Sequence, residues 1–565
     1  MNPAPEFNDA LAGVALPGTA LGGHSSRGRW LGWIQAIFSF PTMLAVLLVT
    51  VASVMAAGGM ADPDIWWHLR NAESLLKYHQ FLRYDSYSFT VAGHPWINSE
   101  WLSEIPYYLA WRAWGLLGLE VVLILLIDLI FLGLLYLCYK RSGNFKASVL
   151  ACCVAVFLAV VSFGPRTILF GYAFLIVLLI VLDRFRRQGR APLWIIPPLF
   201  CVWANTHGSW LVGGIVFSII AASGWLAGRW GRVEATPWSR PQRRKLLWTG
   251  FASAAAVFIN PFGYRLVLYP FDLAFRQKLN IAHVAEWVSV NFHDMRGKLV
   301  LALLLALLVS ALLRAEWWSL SELCLLVFAL YTGLTYIRFL FVLAIVAAPL
   351  IAKMFDFIPP YQPEIDKPLL NVLAIMLMIG AMVWYRPTTK KLQDSIDAVY
   401  PVNVLPILRA NPPDGPMLNF YIWGGYLGWN DQNLKVFVDS RVDIFEYAGV
   451  LKDYLALLAL DHPEDILDKY KIRYVLFPPG EPLTYVLAHD SRWKVLYQDK
   501  VSVLLERLDD IRPGTAARTA LEAPLFPYSH RLHRRENPLA FGPAAERQRQ
   551  TILNRLEPGE LLAER

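Results

Sequence analysis

Residues 37–70 read IFSFPTMLAVLLVTVASVMAAGGMADPDIWWHLR, and the boundary inside this stretch decides the fold. From Ile37 to Ala57 there is no charge, the length of helix that a bilayer core of about 30 Å demands, roughly 20 apolar residues. Asp62 and Asp64 follow at once, so two carboxylates stand just outside a membrane, among Trp66, Trp67 and His68. Uncompensated carboxylates in that position can bind a metal or take a proton from a substrate arriving along the lipid.

The whole chain agrees with this beginning. It is 565 residues long, with 56% hydrophobic and 17% charged residues, far from the balance of a soluble domain and typical of an α-helical polytopic membrane protein. Apolar blocks dominate to about residue 385 and an ordinary soluble-looking sequence follows. The expected organisation is a tail over residues 1–35, a membrane domain over 36–385 with a first outer loop at 59–117, a small α/β domain over 386–510, and a largely unstructured tail over 511–565. The net charge of +8 resides mainly in loops and tail. No nucleic-acid motif accompanies it, so it reads as topology and nucleic acid is not an expected partner. Cys138, Cys152, Cys153, Cys201 and Cys324 lie in apolar segments without paired spacing, which points to packing rather than disulfides or zinc. The Val54-Met55-Ala56 stretch resembles a cleavage site, but the apolar run exceeds a signal core, so an uncleaved anchor is expected.

About eleven apolar segments are long enough to be counted as spans, several of them short. Basic loops containing Lys140, Arg141 and Lys146, then Arg184, Arg186, Arg187 and Arg190, then Arg229, Arg232, Arg240, Arg243, Arg244 and Lys245 recur at alternate positions. The positive-inside rule makes these loops cytoplasmic, with the amino terminus inside and the carboxy-terminal domain outside. The remaining unusual polar residues then fall on the outer face. They are Arg166, Asn205, His207, Asn260, Tyr264, Arg265, Glu286 and Arg338. Arg166 and Arg338 need a cavity or its rim, and partners, because a charge in the bilayer centre costs about 2.5–3.5 kcal/mol even on a lenient scale.

Within the first outer loop, Asp62 is positioned to cap a helix that begins at Pro63, with Ile65, Leu69, Ala72 and Leu76 on one face and Asp64 beside His68 one turn on. A second amphipathic segment, Asn98 to Trp114, carries Glu100 and Glu104 one turn apart among Trp96, Trp101, Trp111 and Trp114. So many tryptophans favour an interfacial helix at headgroup level.

Asp62-Pro63-Asp64-Ile65-Trp66-Trp67-His68-Leu69, Trp203-Ala204-Asn205-Thr206-His207-Gly208, Asn260-Pro261-Phe262-Gly263, Glu286-Trp287 and Trp423-Gly424-Gly425-Tyr426-Leu427 resemble a family of largely uncharacterised bacterial membrane proteins. That family is usually placed in the GT-C superfamily of membrane glycosyltransferases, with the protein O-mannosyltransferases, aminoarabinose transferases and oligosaccharyltransferases. The resemblance runs from about Met60 to Arg507. It departs from the better-studied branches in its Asp-Pro-Asp arrangement and in lacking a Trp-Trp-Asp counterpart in the outer domain.

The resemblance implies a GT-C-like fold in a bacterial inner membrane. It also implies transfer of a sugar from a polyprenyl-phosphate-linked donor to a glycan, lipid or protein acceptor on the outer face, with membrane lipid as surroundings. Such a transfer requires a carboxylate base and cationic phosphate clamps. Asp64 or Asp62 would be general base or ligand to a divalent metal such as Mg or Mn, with His68 orienting one of them. Arg338 and Arg166 would hold the departing phosphate. Asn205, His207, Glu286 and Tyr264 would line the pocket. Arg166 and Arg338 also read as helix-end charges, and Asn205 and His207 as groups satisfying backbone where a span ends.

Beyond the last span, strands are expected at 416–421, 436–438, 474–477, 494–497 and 501–505, and helices at 450–460 and 464–471. Asp439-Ser440-Arg441-Val442-Asp443 reads either as a glycan or metal site after a strand or, more simply, as an exposed charged turn. Two other classes of function stay open. A transporter or lipid flippase would place charges at the bilayer midplane and show repeat symmetry, and neither is read from the sequence. A non-catalytic envelope-polysaccharide assembly protein would use the outer domain for binding.

Overall fold

The computed structural model describes residues 37–58, 60, 62–284, 287–313 and 318–508. The tails expected over 1–35 and 511–565, and Glu286, lie outside the described residues. The chain forms two compact units, one from residues 37–62, 99–267 and 289–395, the other from 63–98, 268–288 and 396–508. The loop expected over 59–117 is therefore divided between them.

The first unit is helical. Among the described residues, Leu116–Ser142, Phe145–Ser162, Ile168–Gln188, Ile337–Met354 and Pro368–Tyr385 are long and apolar enough to cross a membrane. Phe40–Ala56, Leu193–Ala204, Trp210–Ser223 and Leu320–Thr335 are shorter apolar helices. Eleven full-length spans are not seen, because polar and imino residues break the runs early. Ser39 caps the first helix by accepting from the Thr42 N–H, and Asn144 caps the helix from Phe145 by accepting from the Ala147 N–H, each satisfying a backbone donor the helix cannot. Ser319 and Glu322 form a reciprocal capping box at Leu320.

Charge fixes one end of this unit. Arg141 bridges Asp183 at 2.9 Å and Glu322 at 3.1 Å, Lys353 reaches Glu322 at 2.8 Å, and Arg187 reaches Asp183 at 2.6 Å. These residues begin or end four helices, so successive helices run in opposite directions. The turns bearing Asp62, Arg166, His207 and Arg338 consequently gather at the opposite end. Between the ends, Ala151, Ala155, Ala344, Ala347 and Ala348 are fully buried where Phe145–Ala159 packs on Leu340–Met354. Small side chains allow that close approach of two backbones. The five cysteines are free, with Cys138 and Cys152 packed at 4.0 Å. A hairpin of β1 (Gly228–Trp230) and β2 (Val233–Ala235) pairs in parallel with β3 (Trp318–Ser319).

The second unit is a four-stranded mixed sheet with helices. The strands are β4 (Met417–Asn419), β5 (Tyr474–Phe477), β6 (Trp493–Gln498) and β7 (Val503–Arg507), in the order β4-β5-β7-β6. Helices at Val450–Leu458 and Pro463–Lys469 match the periodicity. Residues 436–438 are not a strand of this sheet. Val436 instead exchanges backbone hydrogen bonds with Tyr87 and Phe89, while Asn419 Oδ1 accepts from the Phe437 N–H and its Nδ2 donates to the Val438 carbonyl. Trp67, Tyr87, Val91 and Trp96 enter the same core as Leu418, Phe437, Phe445 and Phe477.

Candidate functional site

Four ionisable side chains meet in the first unit. Asp62 follows the first helix and its Oδ2 accepts from Arg166 Nε, so it is not uncompensated. The helix after it begins at Asp64 with Pro63 in the cap position. Arg166 sits in the Gly164-Pro165-Arg166 turn, where the proline cannot continue the preceding helix. The Tyr107 hydroxyl donates to the Arg166 carbonyl at 3.0 Å. The Arg166 side chain is 29% exposed and that of Asp62 4%, so the pair presents the cation outward and keeps the carboxylate inside.

The next residue links this pair to a second one. Thr167 Oγ1 donates to Glu100 Oε2 at 2.6 Å, and His207 Nε2 lies 3.4 Å from Glu100 Oε1. The Ser209 N–H donates to His207 Nδ1 at 2.9 Å. Nδ1 is thus an acceptor, and the neutral ring carries its proton on Nε2, facing Glu100. A guanidinium, two carboxylates and an imidazole on adjoining turns can bind an anion and accept or return a proton. Glu100, read from the sequence as part of an anchoring segment, belongs to this cluster.

The turns are held by asparagines that the sequence placed in the pocket lining or beside it. Asn205 Oδ1 accepts from Trp101 Nε1 at 2.9 Å, and its Nδ2 donates to the carbonyls of Cys201 and Ile259, both at 2.8 Å. Asn205 positions; its amide is fully engaged. Asn260 Nδ2 donates to the carbonyls of Val257 and Gly263, its Oδ1 accepts from the Phe262 N–H, and Gly263 takes φ +58°, a conformation natural to glycine.

Asp64 and His68 belong to the second unit. There Trp67 Nε1 donates to Asp64 Oδ1 at 3.2 Å and to Ser440 Oγ at 3.1 Å, and the buried His68 ring lies against Trp67, tilted by 40°, with centroids 3.6 Å apart. Arg338 is half-buried in the turn before Leu340, its carbonyl accepting from the Tyr172 hydroxyl at 3.0 Å. Tyr264, 62% exposed, opens the helix Tyr264–Arg276. Among the described residues, no group of three or more His, Cys, Asp and Glu side chains is placed to hold a metal ion.

Two carboxylates escaped the sequence reading. Asp128 lies near the middle of Leu116–Ser142 and accepts from Ser53 Oγ through both oxygens, at 3.2 and 3.1 Å. Glu120, two turns earlier, accepts from the Gly58 N–H at 3.0 Å while its Oε2 is buried without a hydrogen-bond partner. The signal was present: an acidic residue inside an otherwise apolar run of span length marks a functional candidate. The Asp439-Ser440-Arg441 stretch, in contrast, is not an exposed turn, since Arg441 is buried between Asp439 and Asp85.

No protein-family model matches the chain, and comparison with curated proteins finds no match.

Proposed function

We propose that this protein is a GT-C-type glycosyltransferase of a bacterial inner membrane, moving a sugar from a polyprenyl-phosphate-linked donor to an acceptor on the outer face. In this reading its amino terminus is cytoplasmic, about eleven helical segments are embedded in the bilayer, and the second unit is extracytoplasmic. The observation that carries the reading is the Asp62–Arg166 pair joined through Thr167 to Glu100 and His207, at the end of the helical unit opposite the basic loops.

In the reaction the bond from the anomeric carbon to the lipid phosphate breaks as the acceptor oxygen bonds to that carbon. The acceptor proton passes to a carboxylate, and the lipid phosphate departs with its negative charge. Asp62 Oδ2 already holds Arg166, so Glu100, with its side chain 22% exposed, is the better-placed proton acceptor, and His207 orients it. Arg166 faces outward and offers planar donors to the leaving phosphate.

Full-length protein in lipid nanodiscs, given a panel of radiolabelled polyprenyl-phosphate sugars, should release free lipid phosphate. Asp62→Asn and Glu100→Gln should each lower release about 10²–10⁴-fold, with Asp64→Asn as a comparison. Absence of release with every donor, together with unchanged envelope glycans in cells carrying Asp62→Asn and Glu100→Gln, would reject the enzyme.

Asp128 favours one second reading. A carboxylate near the middle of a span suits a transporter or flippase. Loss of transbilayer movement in Asp128→Asn with sugar transfer intact would select it.

A further inference from the structure

The helix Arg240–Ala256 places three arginines where they cost helix stability. Arg240, Arg243 and Arg244 lie in its opening turns, and no acidic residue stands there to offset them. Cations at a helix amino terminus oppose the macrodipole. Ser239 and Gln242 already cap this end through a reciprocal capping box, so the arginines are not needed to start the helix.

Along the same outward face the side chains change character in a fixed order. Arg240, Arg243 and Arg244 come first, then Leu247 and Trp248, then Phe251, and together they line a shallow groove of about 370 Å³. Trp248 and Phe251 are 66% and 68% exposed. At 1.5 Å per residue, Arg244 and Phe251 are separated by about 10 Å along the axis. The inward face is taken by Leu246, Thr249, Ser253 and Ala256, so the groove is not a packing surface within its own unit.

The arginines differ in their surroundings. Arg243 Nε donates to the Trp238 carbonyl at 3.1 Å, and its guanidinium carbon lies 5.6 Å from the Trp225 ring centroid, which holds that cation at the groove wall. Arg240 and Arg244 are exposed, and neither side chain has an ion pair or hydrogen bond among the described residues. Arg186 donates to the Thr236 carbonyl and to Ser223 Oγ, which places the start of this helix at the same end of the unit as the Arg141–Glu322 network.

We propose that this groove is a binding site for the phosphate headgroup of an anionic phospholipid, on the side of the membrane opposite the Asp62 cluster. Arg240 and Arg244 hold the phosphate from two sides, Trp248 sits at the glycerol level as interfacial tryptophans do, and Leu247 and Phe251 contact the acyl chains. The order of charge, indole and apolar ring along the helix is the order of a lipid from headgroup to tail. The site is independent of the transfer reaction.

The test uses full-length protein reconstituted in nanodiscs of equal phosphatidylglycerol and phosphatidylcholine, with retained lipids counted by native mass spectrometry. Wild type should retain phosphatidylglycerol over phosphatidylcholine, and R240Q/R244Q should lower that preference about tenfold or more, as expected from removing two interfacial cations. Arg243 and Lys245 remain to hold the topology. R184Q/R190Q, which removes the same charge from exposed positions in the last turns of the helix Ile168–Gln188 and just beyond it, at the same end, should leave the preference unchanged. Equal retention of the two lipids by wild type, or equal loss in both double variants, would overturn the site.

Discussion

Arg441 lies between two carboxylates from distant parts of the chain, with Nη2 2.6 Å from Asp439 and 2.7 Å from Asp85. Its guanidinium carbon is 4.7 Å from the ring centroids of both Tyr87 and Trp96. Burial by itself would lower the Arg441 pKa, but Asp439 and Asp85 overcome it and push the group well above its ordinary value. The cation therefore clips residues 85–96 onto residues 439–443 within one hydrophobic core. Arg441→Met strands two buried carboxylates and should destabilise the second unit by about 3–5 kcal/mol. Asp85→Asn leaves one partner in place and should cost less, about 1–3 kcal/mol. Urea dependence of protease resistance in residues 396–508 measures both.

A different carboxylate nearby supplies a pH dependence. Burial pushes Asp443 up to about 7, while a hydrogen bond from Tyr269 and the charge of Arg441 oppose the rise. In the unfolded chain the group titrates near 4. The native form thus binds the proton more tightly, so the stability contributed by protonated Asp443 is complete below about pH 4 and is lost as pH climbs through 7. Hydrogen exchange of Val442–Tyr447, corrected for intrinsic rates, should show more protection at pH 5.5 than at pH 8. Asp443→Asn should flatten that difference and raise protection at pH 8.

The Trp423-Gly424-Gly425 sequence is a packing requirement. A Cβ on Gly424 would press into the Val438 carbonyl oxygen and come within 2.7 Å of Asp439 Cβ, while one on Gly425 would meet the Pro63 carbonyl at 3.0 Å. Gly424→Ala should cost about 1–3 kcal/mol or more, because backbone cannot step aside as a side chain can. Gly425→Ala should cost less. Thermal unfolding followed by tryptophan fluorescence ranks the two.

In the candidate site, Thr167→Val removes the hydroxyl that donates to Glu100 without removing any ionisable group. Transfer should fall about tenfold, the size of an effect that comes from orientation rather than from the proton acceptor itself. Glu100→Gln should reach the larger loss. Comparing free lipid phosphate released by the two variants separates positioning from proton transfer.

Much of the architecture was legible because apolar runs and the polar residues that end them obey local rules. The apolar run after Ile37 and the helices at 450 and 463 are read from neighbours in sequence. Asp62, Arg166 and His207 were each legible as unusual residues at run ends. Their pairing was not, since Asp62 and Arg166 are 104 residues apart and Glu100 and His207 are separated by 107. The same separation hid Asp85 from Arg441 and made a buried ion triad look like an exposed turn. Asn205 read as a pocket residue because side-chain chemistry alone does not distinguish an amide that binds a ligand from one that closes a turn. Asp128 was missed for the opposite reason, one charge being averaged away by the apolar residues around it.

The second unit is assembled from three stretches that begin at residues 63, 268 and 396. Synthesis is vectorial, so the first two stretches leave the ribosome long before β5 and β7 exist. Asp85 and Trp96 must wait for Arg441, and the apolar faces of Trp67 and Tyr87 are without their core for the time needed to make several hundred further residues, at about 5–20 residues per second. The unit can close only after β7 has left the ribosome, which makes its assembly a long-range event and leaves any halt in translation before that point with two orphaned segments and no sheet to receive them.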